Sequence, residues 1–503
     1  MTRQMNRRQW LAGAATLAST CSFGLPALAD LGAPRRLSIE SANLDVNGQS
    51  AKVFRLVDDS GRPGLTLAPG ERFRVMLQNR INVPSIVHWH GQTPPWTQDG
   101  FPWPQTPALA PGEAASYDFE PIAGTYWMHS HEGLQEQSLM TAPLVVQDAG
   151  ASQADRQEVV LMLHDFSFRP AQELLADLTG VDGGREDETE NAPAPGLDMA
   201  SMRMSGMSTS DMLLKSQTSK PMAGMRAQPA TKMDLNDIDY DAFLANDKTL
   251  RDPEIVRVAA GAAVRLRVIN GSSSSQFWID LGALEGLVAA VDGHDVKAIS
   301  ASLFPLAIAQ RLDILINLPG PGAFPILACL EGSRRRTGVV LATAGAAIPH
   351  LAEEADRLAR PVDNSLEDRL SALDPLSPRR PDVSARVVLS GGMKPYRWAM
   401  NTEHWPEITP LMVKHGQRVE IELVNSSMMA HPMHLHGHTF QVIGLNGRVL
   451  GGARRDTILV PPMGSARIAF DADNPGRWAF HCHNLYHMAA GMMSELRYEG
   501  IPV

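Results

Sequence analysis

The chain has 503 residues, 44% hydrophobic and 20% charged, which is the composition of a globular protein and too long for a single hydrophobic core. Its 45 Lys and Arg against 55 Asp and Glu leave a net charge of −10, which argues against nucleic acid or an anionic membrane surface as the partner. Three cysteines, Cys21, Cys329 and Cys482, are too few for a disulfide framework.

The N-terminus, "MTRQMNRRQWLAGAATLASTCSFGLPALAD", reads as a targeting segment over residues 1–29. Arg7 and Arg8 precede a weakly apolar run and a small-residue cleavage site at Ala27-Leu28-Ala29. Twin arginines ahead of such a run mark the pathway that exports proteins already folded, which places the mature chain in the periplasm. The run is too short to stay behind as a membrane span, so no stable membrane insertion is expected.

One unit then recurs three times, as "LTLAPGERFRVMLQN", "VRVAAGAAVRLRVIN" and "LMVKHGQRVEIELVN". Each copy has a glycine followed nine residues later by an asparagine: Gly70 and Asn79, Gly261 and Asn270, Gly416 and Asn425. The alternating apolar residues between them read as a half-buried strand after a turn. Nine residues past each asparagine stand His88, Ile279 and His434, and two further on stand His90, Leu281 and His436. In the second half of the unit, Gly124 and Gly476 precede His129 and His481 by five residues. Gly322 leads in the same way to Leu327, with Cys329 two beyond.

This pattern predicts an all-β chain of three Greek-key β-sandwich domains over residues 36–150, 157–347 and 383–503. A proline-containing, partly helical linker over 348–382 joins the last two. The middle copy has apolar residues where the others have histidines, and Cys329 is expected as a buried core residue. Within the second domain, residues 181–233 lack strand periodicity and are rich in Asp, Glu, Ser and Met, which reads as a mobile insertion.

Eleven of the 16 histidines fall into "HWHG" (88–91), "HSH" (129–131), "HPMHLHGH" (431–438) and "HCHNLYH" (481–487). Residues i and i+2 of a strand share a face, so each His-x-His points two imidazoles to one side. Four such pairs, two from the first domain and two from the third, can bring eight imidazoles together across a domain interface. Imidazole alone suits copper, zinc or iron. Cys482 must face away from His481 and His483, and so belongs to a second site. One thiolate with two histidines and a weak axial methionine is the ligand set of a blue-copper centre, and His431, His487 and Met492 are available to complete it. A zinc site of Cys and His is the competing reading, but it leaves the paired histidines unexplained.

With all four motifs in this order, the mature chain resembles over nearly its whole length the multicopper oxidases, the family of laccases, ascorbate oxidase and bacterial cuprous oxidases. The resemblance implies three cupredoxin-like domains and four coppers per chain. His431, Cys482, His487 and Met492 would hold the type 1 copper, and His88 and His434 the type 2 copper. His90, His129, His131, His436, His481 and His483 would hold the type 3 pair. The implied reaction is one-electron oxidation of a reductant near a surface edge of His487. Electrons then pass through Cys482 and its flanking histidines to the cluster, where O2 becomes water.

Asp99, in "TQDGFP", resembles the family's acidic residue beside the cluster and would relay protons, although Asp-Gly is also a turn signal. Many relatives have an acidic residue directly after the last type 1 histidine. Here that position is Met488, which leaves Glu132 and Glu136 as substitutes. Eight of the 24 methionines lie between 199 and 233, and "DMASMRMSGM" resembles the methionine-rich segments of periplasmic copper-tolerance oxidases. Thioethers prefer Cu(I). The expected protein is a monomeric periplasmic oxidase taking electrons from Cu(I) or small organic reductants and giving them to dioxygen, with a role in copper tolerance. A general laccase with organic substrates and a non-catalytic copper-binding periplasmic protein are the alternatives.

Overall fold

The computed structural model describes residues 33–150, 156–180 and 235–502. The targeting segment and the methionine-rich insertion, including Met199 to Met233, lie outside these described residues. Six sheets form three cupredoxin-like domains. In the first, strands Gln49–Asp58, Arg35–Val46, Phe73–Asn79 and Ala114–Phe119 form one sheet. The other holds Leu65–Leu67, Thr141–Val146, Gly124–Ser130 and Val87–His90. Leu37, Phe73, Trp89 and Leu144 meet in the core between them. The second domain packs a six-stranded on a five-stranded sheet around residues such as Leu266, Ile279, Ile314 and Leu341. The third packs its two sheets around Leu389, Ile421, Phe480 and Leu496. Among the described residues, no helix is long and apolar enough to cross a membrane.

The repeated glycine and asparagine have separate jobs. Gly70, Gly261 and Gly416 all sit at positive φ (71°, 71° and 83°), turning the chain into the strand that follows. That strand then alternates buried and less buried side chains, as Phe73–Asn79 does. The asparagine ends it. Asn79, Asn270 and Asn425 are buried, and each side-chain oxygen accepts the N–H two residues on, from Ile81, Ser272 and Ser427. Each side-chain amide donates to a carbonyl further along, on Val83, Ser275 and Met429. The signature is thus a strand plus the pinned loop that feeds the next strand, which carries the histidines in copies one and three.

Register shows where the copies part company. His88 lies opposite His129, and His434 opposite His481. In the middle domain Ile279 lies opposite Ala328, one residue away from the Leu327 that the repeat would align with it. A one-residue offset exchanges the two faces of a strand. Ala328 therefore enters the core, and Cys329 is only partly buried, beside Trp278, rather than the core residue expected. Burial still pushes its thiol up to about 11. Copies one and three must set imidazoles opposite one another, whereas the middle copy has no ligands to enforce that pairing.

Residues 348–382 contain a single short 3-10 turn, Glu367–Arg369, in place of more extended helix. Leu366 and Leu370 from this stretch bury themselves in the second core, and Glu367 reaches Arg455 of the third domain at 2.7 Å.

Candidate metal centres

His88, His90, His129, His131, His434, His436, His481 and His483 are all buried. They lie at or just past the ends of strands Val87–His90, Gly124–Ser130, His431–Leu435 and Arg477–Cys482. Their ring nitrogens gather into three groups: His88, His90 and His434; His90, His129 and His483; His131, His436 and His481. The Nε2 atoms of His88 and His434 are 3.4 Å apart, those of His129 and His483 3.4 Å, and those of His436 and His481 3.0 Å. Two metal–nitrogen bonds of about 2.0 Å at tetrahedral to trigonal angles separate their nitrogens by about 3.3–3.5 Å, so these imidazoles are spaced for shared ions.

Most of the outward nitrogens are held by the protein, which aims the inward ones, whereas both ring nitrogens of His131 are buried without a hydrogen-bond partner. Asp99 places Oδ2 2.8 Å from His436 Nδ1, and its carbonyl oxygen 2.9 Å from His88 Nδ1. The carbonyl of Asp456 holds His434 Nδ1 at 2.8 Å, and that of Cys482 holds His481 Nδ1 at 2.9 Å. Glu136 Oε2 lies 2.8 Å from His129 Nδ1. His88, Asp99 and His436 also come close enough to suggest an ion site, but that contact uses Nδ1 atoms already facing Asp99 and is the outer shell of the cluster. His90 is reversed: Asp456 Oδ1 holds its Nε2 at 3.0 Å, and its buried Nδ1 has no partner. Having one nitrogen free, His90 serves one of its two groups. His438, the last histidine of its motif, bonds the His436 carbonyl and the Tyr498 hydroxyl and acts as a strut.

Burial, reinforced by neighbouring histidines, holds His90, His129, His131, His434, His436 and His483 well below the ordinary imidazole range. Burial lowers His481 to about 4. Neutral imidazole is the ligating form, so the site is ready for metal. It also sets a pH dependence. Below the ordinary pKa of about 6.5 the unfolded chain takes up protons that the folded chain refuses, so stability falls as pH falls. Metal-free protein is expected to be stable at pH 7 and progressively less so from pH 6.5 toward 4, as measured by denaturant unfolding at each pH.

A second site lies on the other face of the same strand. Cys482 Sγ is 3.7 Å from His431 Nδ1 and 3.7 Å from His487 Nδ1, and these two nitrogens are 3.1 Å apart. All three residues are buried. After the strand ends, Asn484 caps a short helix, Leu485–Ala489, accepting the N–H groups of Tyr486 and His487, which turns His487 back toward Cys482. Met492 is fully buried beside them: its carbonyl accepts from Cys482 N–H at 3.0 Å, and its N–H donates to the His487 carbonyl at 3.0 Å. Ser427 Oγ holds His431 Nε2 at 2.7 Å. Burial pushes the Cys482 thiol up, so it stays protonated until a bound metal ionises it. Both donor sets, soft in one case and all-imidazole in the other, fit copper.

The edge of His487 expected at the surface is covered. His487 is 0% exposed, and Asp237 Oδ2 lies 3.3 Å from its Nε2 while accepting Asn484 Nδ2 at 2.7 Å. Asp237 and Asp456 carry no motif signal, because neither stands at a repeat position, and Ser427, two residues past the repeat asparagine, has Ile81 and Ser272 as its counterparts in the other copies. Met488 is buried with the core, and Glu136 touches the cluster. Burial, helped by Asp165, raises the Glu136 pKa well above the usual carboxylate range.

Gly100 tests how tightly the cluster is framed. It sits at φ +84°, and a Cβ there would run into the Val87 carbonyl and the His88 backbone. Gly100→Ala is expected to cost about 3 kcal/mol in denaturant unfolding, because strain and overpacking act together.

Three cupredoxin-like domains, with a thiolate–imidazole site in the third and a buried imidazole cluster between the first and third, define an oxidase built around copper. Models of the multicopper oxidase family match residues 38–151, 209–350 and 378–500. The chain belongs to the multicopper oxidases, oxidoreductases that use O2 as acceptor. It is 30% identical to multicopper oxidase MmcO of Mycobacterium tuberculosis, over 92% of this chain and 86% of that protein. It is 26% identical to copper resistance protein A of Escherichia coli, over 95% of this chain and 94% of that protein. The laccase from Botrytis aclada shares the fold with a TM-score of 0.71 at 19% identity, over 93% of this chain and 88% of that one.

Proposed function

We propose that this chain is a periplasmic oxidase that takes electrons from Cu(I), and from phenols or other small organic reductants, and serves copper tolerance. In this reading residues 1–29 direct export, and the mature monomer is built from domains 36–150, 157–347 and 383–503. His431, Cys482, His487 and Met492 would hold the type 1 copper, His88 and His434 the type 2 copper. His90, His129 and His483, with His131, His436 and His481, would hold the type 3 pair. Copper bound in these places supplies one-electron acceptance at the first site and four-electron reduction of O2 at the second.

The protein's own part is positioning. Cys482 stands between His481 and His483 in the chain, so two peptide units join the donor side to the acceptor side. Asp99, buried against ligands from the first and third domains, orients both and stands where protons are consumed. The observation that carries the substrate reading is Asp237. Its carboxylate faces His487 Nε2, and its Oδ1 is buried without a partner. It follows directly on the segment with the clustered methionines. Such a group attracts a cation, or accepts the proton of a phenol as its electron leaves. Similarity to a copper resistance protein favours the cation.

Asp237→Asn is expected to lower kcat/KM for Cu(I) and phenols roughly 10- to 100-fold, the worth of a charged hydrogen bond. Deleting residues 199–233 separates the two substrate readings. Cu(I) oxidation should fall while phenol oxidation holds, and unchanged Cu(I) kinetics would leave a general laccase.

A further inference from the structure

The middle domain has none of the ligand histidines, yet it reaches the cluster through one side chain. Arg311 opens strand Arg311–Asn317 and is fully buried. Its Nη1 and Nη2 donate to Asp456 Oδ1 and Oδ2, at 2.8 and 2.5 Å, as a fork. Its Nε donates to the Thr125 carbonyl of the first domain at 3.2 Å, and Nη1 also donates to the Ala309 carbonyl at 3.1 Å. Asp292 accepts the Arg311 backbone N–H at 2.9 Å. Arg311 therefore ties the first domain and the third to the second.

Asp456 in turn governs two histidines. Its Oδ1 accepts from His90 Nε2 at 3.0 Å, and its carbonyl faces His434 Nδ1 at 2.8 Å. Thr457 Oγ1 sits 3.2 Å from each of those nitrogens and donates to Asp456 Oδ1 at 2.9 Å. A carboxylate gripped at both oxygens cannot rotate, so Oδ1 stays fixed on His90 Nε2. That leaves the partnerless Nδ1 of His90 as its inward donor.

We propose that Arg311 is a positioning residue of the histidine cluster. By clamping Asp456 it fixes which nitrogen of His90 faces the metal and how His434 is turned, and this gives the ligandless domain a part in the site. The inference rests on the ligand assignment under Proposed function. What matters is the planar fork rather than the charge, because lysine keeps the charge and cannot grip both oxygens.

The test compares Arg311→Lys with Arg455→Lys in copper-loaded full-length protein. Arg455 is equally buried but bonds Asp292 and Glu367, with no contact to a ligand histidine. Copper affinity of the cluster is read by chelator competition and the type 2 copper by its paramagnetic resonance, with the blue absorption as internal control. Arg311→Lys is expected to weaken cluster copper roughly 10- to 100-fold and to alter the type 2 signal, leaving the blue absorption intact. Arg455→Lys should lower Tm without touching either cluster readout. Wild-type cluster affinity and type 2 signal in Arg311→Lys, or equal changes in both variants, would overturn the proposal. If Arg311→Lys yields no folded protein, Asp456→Asn decides. It keeps an acceptor oxygen for His90 and loses the grip, so the same cluster change supports the proposal and a wild-type signal rejects it. Failure of the ligand assignment looks different, since the unaltered protein would then lack the type 2 signal altogether.

Discussion

Cys482→Ser abolishes the blue absorption of the copper-loaded protein and takes oxidation of Cu(I) and of phenols alike to background, while copper in the histidine cluster stays bound. The expectation follows from alternation along one strand. Cys482 faces His431 and His487, whereas His481 and His483 face His436 and His129. A serine hydroxyl is a hard, weakly acidic donor in a pocket whose burial already opposes ionisation of the thiol. The change therefore removes the electron entrance and spares the cluster. An absorption spectrum and a copper count check both halves. Loss of cluster copper together with the blue band would mean that the two sites do not form independently.

Asp99→Ala and Asp99→Asn have the next largest effects, and they differ in kind. The carboxylate braces His436 from the third domain at 2.8 Å, and the backbone carbonyl of Asp99 holds His88 from the first at 2.9 Å. Alanine keeps the carbonyl on His88 but removes the brace on His436, and cluster copper affinity is expected to fall roughly 10- to 100-fold, as for other partners of metal-bound histidines. Asparagine keeps an acceptor oxygen and loses the basic one, so copper is retained and turnover falls. Rapid mixing separates the halves of the cycle: reduction by substrate without O2 should keep its rate, and reoxidation by O2 should slow. Slowed reduction instead would place the action of Asp99 at the Cys482 site.

Much of this site was legible because the chain repeats itself. The Gly-to-Asn spacing marks equivalent strands, and the histidines two residues apart inherit a shared face from strand geometry alone. The same logic separates Cys482 from its neighbours. It fails where no ligand enforces the register, as at Cys329, which the offset of one residue turns away from the core. It is silent on what holds the imidazoles. Asp456 stands 22 residues beyond His434 and 366 beyond His90, and Asp237 reaches His487 only after the domains pack. Such contacts are products of tertiary structure, and a periodic pattern does not encode them. The family resemblance supplied Asp99. Arg311 has no signal in the sequence, because its domain carries no ligand and its contacts to Asp456 and Thr125 form only in the folded chain.

The most direct test of the central claim is the stoichiometry of oxygen uptake by the copper-loaded protein with a one-electron reductant in excess. Two cooperating sites predict four reducing equivalents consumed per O2, with water as the product and no hydrogen peroxide accumulating. Two equivalents per O2 with peroxide released, or no uptake in protein that shows the blue absorption, would contradict it.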